Sequence, residues 1–228
     1  MNPTSFGGNV KVGQSILGPI EQRFIRWAVP RLPSWLRSYH LTLASIPISL
    51  GIILCSYLAT LDTGWLWVVS GLIAAQWLTD SFDGALGRAR KEGLIQWGYY
   101  MDHLLDYFFL ASIVTGYMLL LPDHFKYLLF FVLVFFAGFL VNSYLALATT
   151  NKFRISYLGF GPTEIRLIFI LINTLIFCFG KTYIGGTLPY ILGFSFCGLI
   201  VIVYRTQKEI WIEDMERRRE QERIDQKN

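Results

Sequence analysis

The strongest constraint on this sequence is a series of uncharged apolar runs of about 20 residues, beginning with Leu41–Leu61. At 1.5 Å per residue such a run spans the roughly 30 Å hydrocarbon core of a bilayer. Lipid offers no partner to a backbone N–H or C=O, so each run is expected to be a helix, with Pro47 a tolerated kink in the first. Further spans are expected from near Leu66, Gly98, Tyr127, Ile165 and Gly185, the last ending near Tyr204. The fold class is therefore an all-α membrane protein with six transmembrane helices. With 54% hydrophobic and 16% aromatic residues over 228 positions, the chain fits one polytopic membrane domain.

Charge sets the expected orientation. Of the 20 Lys and Arg residues, all but Lys126 and Lys181 fall in residues 1–40, the 88–91 loop, the 152–166 connection or the tail after Tyr204. That asymmetry places both termini in the cytosol, which requires an even number of spans. A net charge of +4 raises nucleic acid as a partner. The basic residues follow the loops, however, and form no patch interleaved with aromatics, so the lipid bilayer is expected instead. Cys55, Cys178 and Cys197 lie in apolar runs without metal-ligand or disulfide spacing.

Three regions follow: residues 1–40, the membrane domain 41–204 and a charged tail helix 205–228. Residues 1–14 are Gly-rich and polar, without the apolar core of a signal peptide, and read as a disordered start. From Ile20 to Val29 the alternation of Ile20, Phe24 and Trp27 with Glu21, Arg23 and Arg26 describes an amphipathic helix in the membrane interface. Its alternatives are a plain basic anchor and a part in the site. After Tyr204 the charge run suits a solvated helix that stays in the cytosol.

Chemistry is concentrated between Thr79 and Tyr107. On a helix, Asp80, Asp83, Gly84, Gly87 and Arg88 fall within an arc of roughly 140°. On the next, Gly98, Asp102 and Asp106 fall within roughly 80°. Asp80 lies about 12 Å from the helix end at Arg88, too deep for a lipid-facing charge, so it is expected to face a protein cavity. Two carboxylates 4 Å apart repel by about 4 kcal/mol at an effective dielectric of 20. Arg88, Arg90 and Lys91 leave the cluster short of positive charge. Protonation is one remedy; a divalent cation held by carboxylate oxygens, Mg²⁺ or Mn²⁺, is the more direct one. His103 reads as a packed or interfacial residue rather than a ligand.

This stretch resembles the signature of the CDP-alcohol phosphatidyltransferase family, D-x2-D-G-x2-A-R-x8-G-x3-D-x3-D. The matches are Asp80, Asp83, Gly84, Arg88, Gly98, Asp102 and Asp106, with Gly87 in place of Ala and one extra residue between Arg88 and Gly98. A leader before the first span is partly kept as His40, Leu41 and Thr42. The resemblance implies transfer of a phosphoalcohol unit from a CDP-alcohol to a hydroxyl acceptor, with release of CMP. It further implies two cations on Asp80, Asp83, Asp102 and Asp106, with Asp106 as general base, Gly84, Gly87 and Arg88 along the nucleotide, and a homodimer.

Within that resemblance the first reading is transfer of a phosphatidyl group from CDP-diacylglycerol to a small polar alcohol, at a cytosol-facing site in the cell membrane. Arg154 and Arg166, astride the turn at Gly161 and Pro162, would favour a phosphorylated acceptor. The rival is transfer of a phospho-aminoalcohol to diacylglycerol, for which Thr163 and Glu164 resemble a Thr-Glu pair. Outside the family, an acid-lined ion transporter would show repeats with broken helices, and a membrane prenyltransferase would show a second Asp-rich motif; neither feature is present.

Overall fold

A computed structural model describes residues 10–12, 16–150, 152–154 and 161–225. Seven helices dominate: α1 (Gly18–Ala28), α2 (Ser38–Leu58), α3 (Trp65–Arg90), α4 (Ile95–Leu120), α5 (Lys126–Thr150), α6 (Pro162–Phe179) and α7 (Thr182–Asp225). Two three-residue strands, β1 (Val10–Val12) and β2 (Lys152–Arg154), pair in parallel with Val10 opposite Lys152. The rest of the expected disordered start, residues 1–9 and 13–14, lies outside the described residues.

Among the described residues, five helices are long and apolar enough to cross a membrane: Ser38–Leu58, Ile95–Leu120, Asp123–Thr150, Pro162–Phe179 and Gly185–Asp225. The segment expected as the remaining span, from near Leu66, is helix α3, whose 26 residues reach about 39 Å. Gln76, Asp80, Asp83 and Arg88 make α3 too polar to qualify by composition. Gln76 and Asp83 are buried by protein, Asp80 is partly so, and Arg88 is exposed. Helix α2 packs against both α3 and α4, α6 packs against α3, and α5 links α4 to α7. Ile52, Leu66, Ile73 and Ile176, from α2, α3 and α6, are almost completely buried at the centre, beside Phe109 and Ile113 of α4. A Cβ at Gly116 would collide with the Ser56 hydroxyl, so glycine there permits the close approach of α2 and α4.

Several boundaries differ from the sequence expectation for local reasons. Helix α6 starts at Pro162 rather than Ile165, because proline suits the first turn and the Glu164 carboxylate accepts the Gly161 N–H at 2.8 Å. Helix α4 starts at Ile95, one turn before Gly98. The side chain that Gly98 lacks would meet nothing within 4 Å, so this glycine does not mark a close helix contact. Beyond Tyr204 the last span continues without interruption into the charged tail, giving one 44-residue helix.

The α3–α4 connection is held from outside. Lys91 and Gly93 take left-handed backbone angles, φ +53° and +76°, which turn the chain over the extra residue. Arg90 donates to the carbonyls of Leu32 at 2.9 Å and Pro33 at 2.8 Å, and also bonds to Leu36. Its charge is thereby spent on the 32–36 linker rather than on the acids. The Ser38 backbone N–H and hydroxyl donate to Glu92 at 2.9 and 2.7 Å. Burial would raise the Glu92 carboxyl, but these bonds and the charges of Arg37 and Arg90 hold it below the ordinary range.

Candidate metal and phosphoryl-transfer site

Helices α3 and α4 bring their acidic faces together as their spacing implies. Asp80, Asp102 and Asp106 each place a carboxylate oxygen within 4.8 Å of the others. All three remain partly exposed, so the cluster opens to an incoming molecule. Asp83 stands beside this group and is more buried. Its Oδ2 accepts the Thr42 hydroxyl at 2.7 Å, and its Oδ1 accepts the Gly84 N–H. Each oxygen retains a lone pair for a further ligand. Thr42 belongs to the partly kept leader, which carried the signal for this contact.

Arg166 enters the cluster from α6. Its Nη2 donates to Asp80 Oδ2 at 2.7 Å and lies 3.4 Å from Asp106 Oδ1, while Nε donates to Gln76 Oε1 at 2.7 Å. The side chain is only 6% exposed, so it is a component of the site rather than a loop charge above it. Gln76 was not anticipated, although its spacing signals it: Gln76, Asp80 and Asp83 form an i, i+4, i+7 polar stripe on α3. With one guanidinium among three carboxylates, the cluster keeps a deficit of positive charge. That donor set of hard oxygens suits a divalent cation such as Mg²⁺ or Mn²⁺.

The other expected residues are placed as follows. Gly84 is exposed, and a Cβ there would meet only the Arg88 guanidinium, 3.3 Å away. Arg88 is itself exposed. A Cβ at Gly87 would stand 3.4 Å from Ser38 of α2, an ordinary van der Waals contact. The Arg154 backbone pairs with Val12 in the β1–β2 register, and its side chain lies outside what is described. Glu164 is buried, with one carboxylate oxygen on the Gly161 N–H and the other accepting the Leu17 N–H at 2.9 Å. It ties the start of α1 to the start of α6. His103 packs between Tyr99 and Tyr144, at ring separations of 4.1 and 5.2 Å, with Nδ1 3.2 Å from Asp102.

A helical bundle of apolar spans, with acids from two neighbouring helices and an arginine from a third meeting inside it, fits an integral membrane protein. Comparison with known proteins makes the class specific. The model of the CDP-alcohol phosphatidyltransferase family matches residues 35–203, and the chain belongs to that family. It is accordingly an enzyme, a metal-dependent phosphotransferase that uses a CDP-alcohol and an acceptor alcohol within a membrane. No curated protein matches the sequence.

Proposed function

We propose that this enzyme moves a phosphatidyl group from CDP-diacylglycerol to a small phosphorylated alcohol, releasing CMP. The observation that carries this choice is the burial of Arg166 within the acidic cluster. An anionic acceptor would be repelled by the carboxylates, and a guanidinium is the side chain best suited to hold its phosphate beside them. Arg154, on β2, is the second candidate for that phosphate.

Asp80, Asp102 and Asp106 would hold the cation, with Asp83 completing the set if two are bound. Mg²⁺ or Mn²⁺ there would supply charge neutralisation for the diphosphate. The chain's own residues do the rest. Gly84 leaves the surface of α3 clear for the nucleotide, and Arg88 beside it faces the phosphates. Asp106 accepts the proton of the acceptor hydroxyl as its oxygen bonds to phosphorus and the bond to CMP breaks. Arg166 fixes the acceptor for in-line approach.

The aminoalcohol alternative relied on Thr163 and Glu164. Both are engaged elsewhere: Thr163 with Glu21 and Trp77, Glu164 with two backbone N–H groups. That engagement favours the phosphorylated acceptor. The positive-inside pattern supports six crossings, with α3 among them, and a site open to the cytosol. The cell membrane and a homodimer complete this reading. Labelled CDP-diacylglycerol presented with a panel of free and phosphorylated alcohols tests it, beside a CDP-aminoalcohol and diacylglycerol control. Turnover only in the control would reverse the choice.

A further inference from the structure

Helix α1 is fastened to α3 and α6, two of the three helices that build the site. Glu21 accepts the Ser81 hydroxyl of α3 through Oε1 at 3.0 Å and the Thr163 hydroxyl of α6 through Oε2 at 2.6 Å. Trp77 of α3 also donates to Thr163, at 3.2 Å. Ser81 follows Asp80 directly, and Thr163 precedes Arg166 by one turn of α6. A single carboxylate therefore spans the gap that the Arg166–Asp80 bond must also span. Phe24, one turn on from Glu21, stacks at 6.0 Å on Trp77 and packs at 5.7 Å on Phe82, while Ala28 is buried against Phe82 and Leu86. The opposite face of α1 leaves Ile20, Arg23 and Trp27 exposed. An anchor alone would require only that outer face.

We propose that Glu21 is a positioning residue: it clamps α3 to α6 at the separation at which Arg166 reaches Asp80, making α1 part of the frame of the active site. Its two hydroxyl partners both need an acceptor, and a carboxylate at the end of a two-carbon stem supplies one oxygen to each. Loss of the clamp lets the first turns of α6 move relative to α3. Displacements of about 1 Å at a reacting centre cost up to about a hundredfold in rate.

The test uses the full chain in bilayer nanodiscs, with Cys178 and Cys197 replaced by serine and spin labels attached at Leu78→Cys on α3 and Ile165→Cys on α6. Dipolar EPR should show a broadened distance distribution in Glu21→Ala and a near wild-type one in Glu21→Gln, whose amide can still bond to both hydroxyls. CMP release, an arm that rests on the proposed reaction, should fall about tenfold or more in kcat for Glu21→Ala, with the Gln variant rescuing most of it. An unchanged distance distribution in Glu21→Ala, or equal losses in the two variants, would overturn the role of Glu21. Absence of CMP release from the wild type would remove the proposed reaction, while the label distances would still decide the clamp.

Discussion

Arg166 and Asp80, 86 residues apart, are joined by a 2.7 Å charge-assisted hydrogen bond inside the helical bundle. This bond draws α6 onto the acidic face of α3, and Gln76 fixes the plane of the guanidinium from one turn away. Breaking a buried pair by removing one partner typically costs about 3–5 kcal/mol, because the other charge is left uncompensated. Arg166→Ala should therefore be poorly folded, and Arg166→Lys is the informative variant. Lysine keeps the charge but not the planar fork, so the expected outcome is a folded enzyme whose apparent KM for a phosphorylated acceptor rises about tenfold. The KM for CDP-diacylglycerol should change little. Steady-state kinetics varying each substrate in turn makes the measurement, and equal changes in both would remove Arg166 from the acceptor site.

Asp102 belongs to the cluster of three acids, while Arg166 bonds to Asp80 and Asp106. Asp102→Asn removes a proposed ligand and some like-charge repulsion without breaking the ion pair. Cation affinity should weaken at least about tenfold while the thermal transition stays within a few degrees of wild type. Titration with Mn²⁺ followed by EPR reads the first quantity directly. Wild-type affinity would exclude Asp102 as a ligand.

Gly84 offers a different kind of test, because a side chain there meets only Arg88 and then open space. Leucine should be tolerated by the fold and leave Mn²⁺ affinity unchanged, while raising the KM for the CDP-lipid about tenfold or more. Unaltered CDP-lipid kinetics would mean that the nucleotide does not pass over α3 at this point.

How much of this was legible in the sequence differs from residue to residue. The periodicity of Asp80, Asp102 and Asp106 put each acid on the right face, since helical spacing alone determines it. The burial of Arg166 was not legible, because it depends on where α6 crosses α3, and no local pattern encodes a crossing between distant helices. Glu21 was hidden for the same reason: amphipathicity shows that α1 has two faces but not that Glu21 meets Ser81 and Thr163. Arg90 counted as nearby positive charge in the sequence, yet its guanidinium is taken by the carbonyls of the 32–36 linker. Only tertiary structure reveals which acceptor a loop arginine finds.

Glu92 makes the connection between α3 and the linker sensitive to acid. Its folded-state carboxyl lies below the ordinary value of 4.5, so its stabilising effect is complete above that value and is lost as pH falls through the lower folded-state value. At pH 7 Glu92→Gln should be less stable than wild type by about 1.5–3 kcal/mol, the scale of hydrogen bonds to a charged group. The difference should shrink below about pH 4.5 as the wild-type carboxyl is protonated. Thermal unfolding in detergent across that range checks it, and a difference that grew on acidification would show that the sign is wrong.

In the proposed reaction the acidic cluster between α3 and α4 serves metal-dependent transfer from a CDP-lipid. The most direct measurement is CMP release from labelled CDP-diacylglycerol by the purified wild-type protein, with a phosphorylated alcohol as acceptor, before and after removal of divalent cations by excess EDTA. The expected result is CMP formed together with an equal amount of phospholipid, abolished by EDTA and restored by Mg²⁺ or Mn²⁺. Full activity in excess EDTA would contradict the metal assignment, and CMP release without a matching phospholipid product would contradict the transfer.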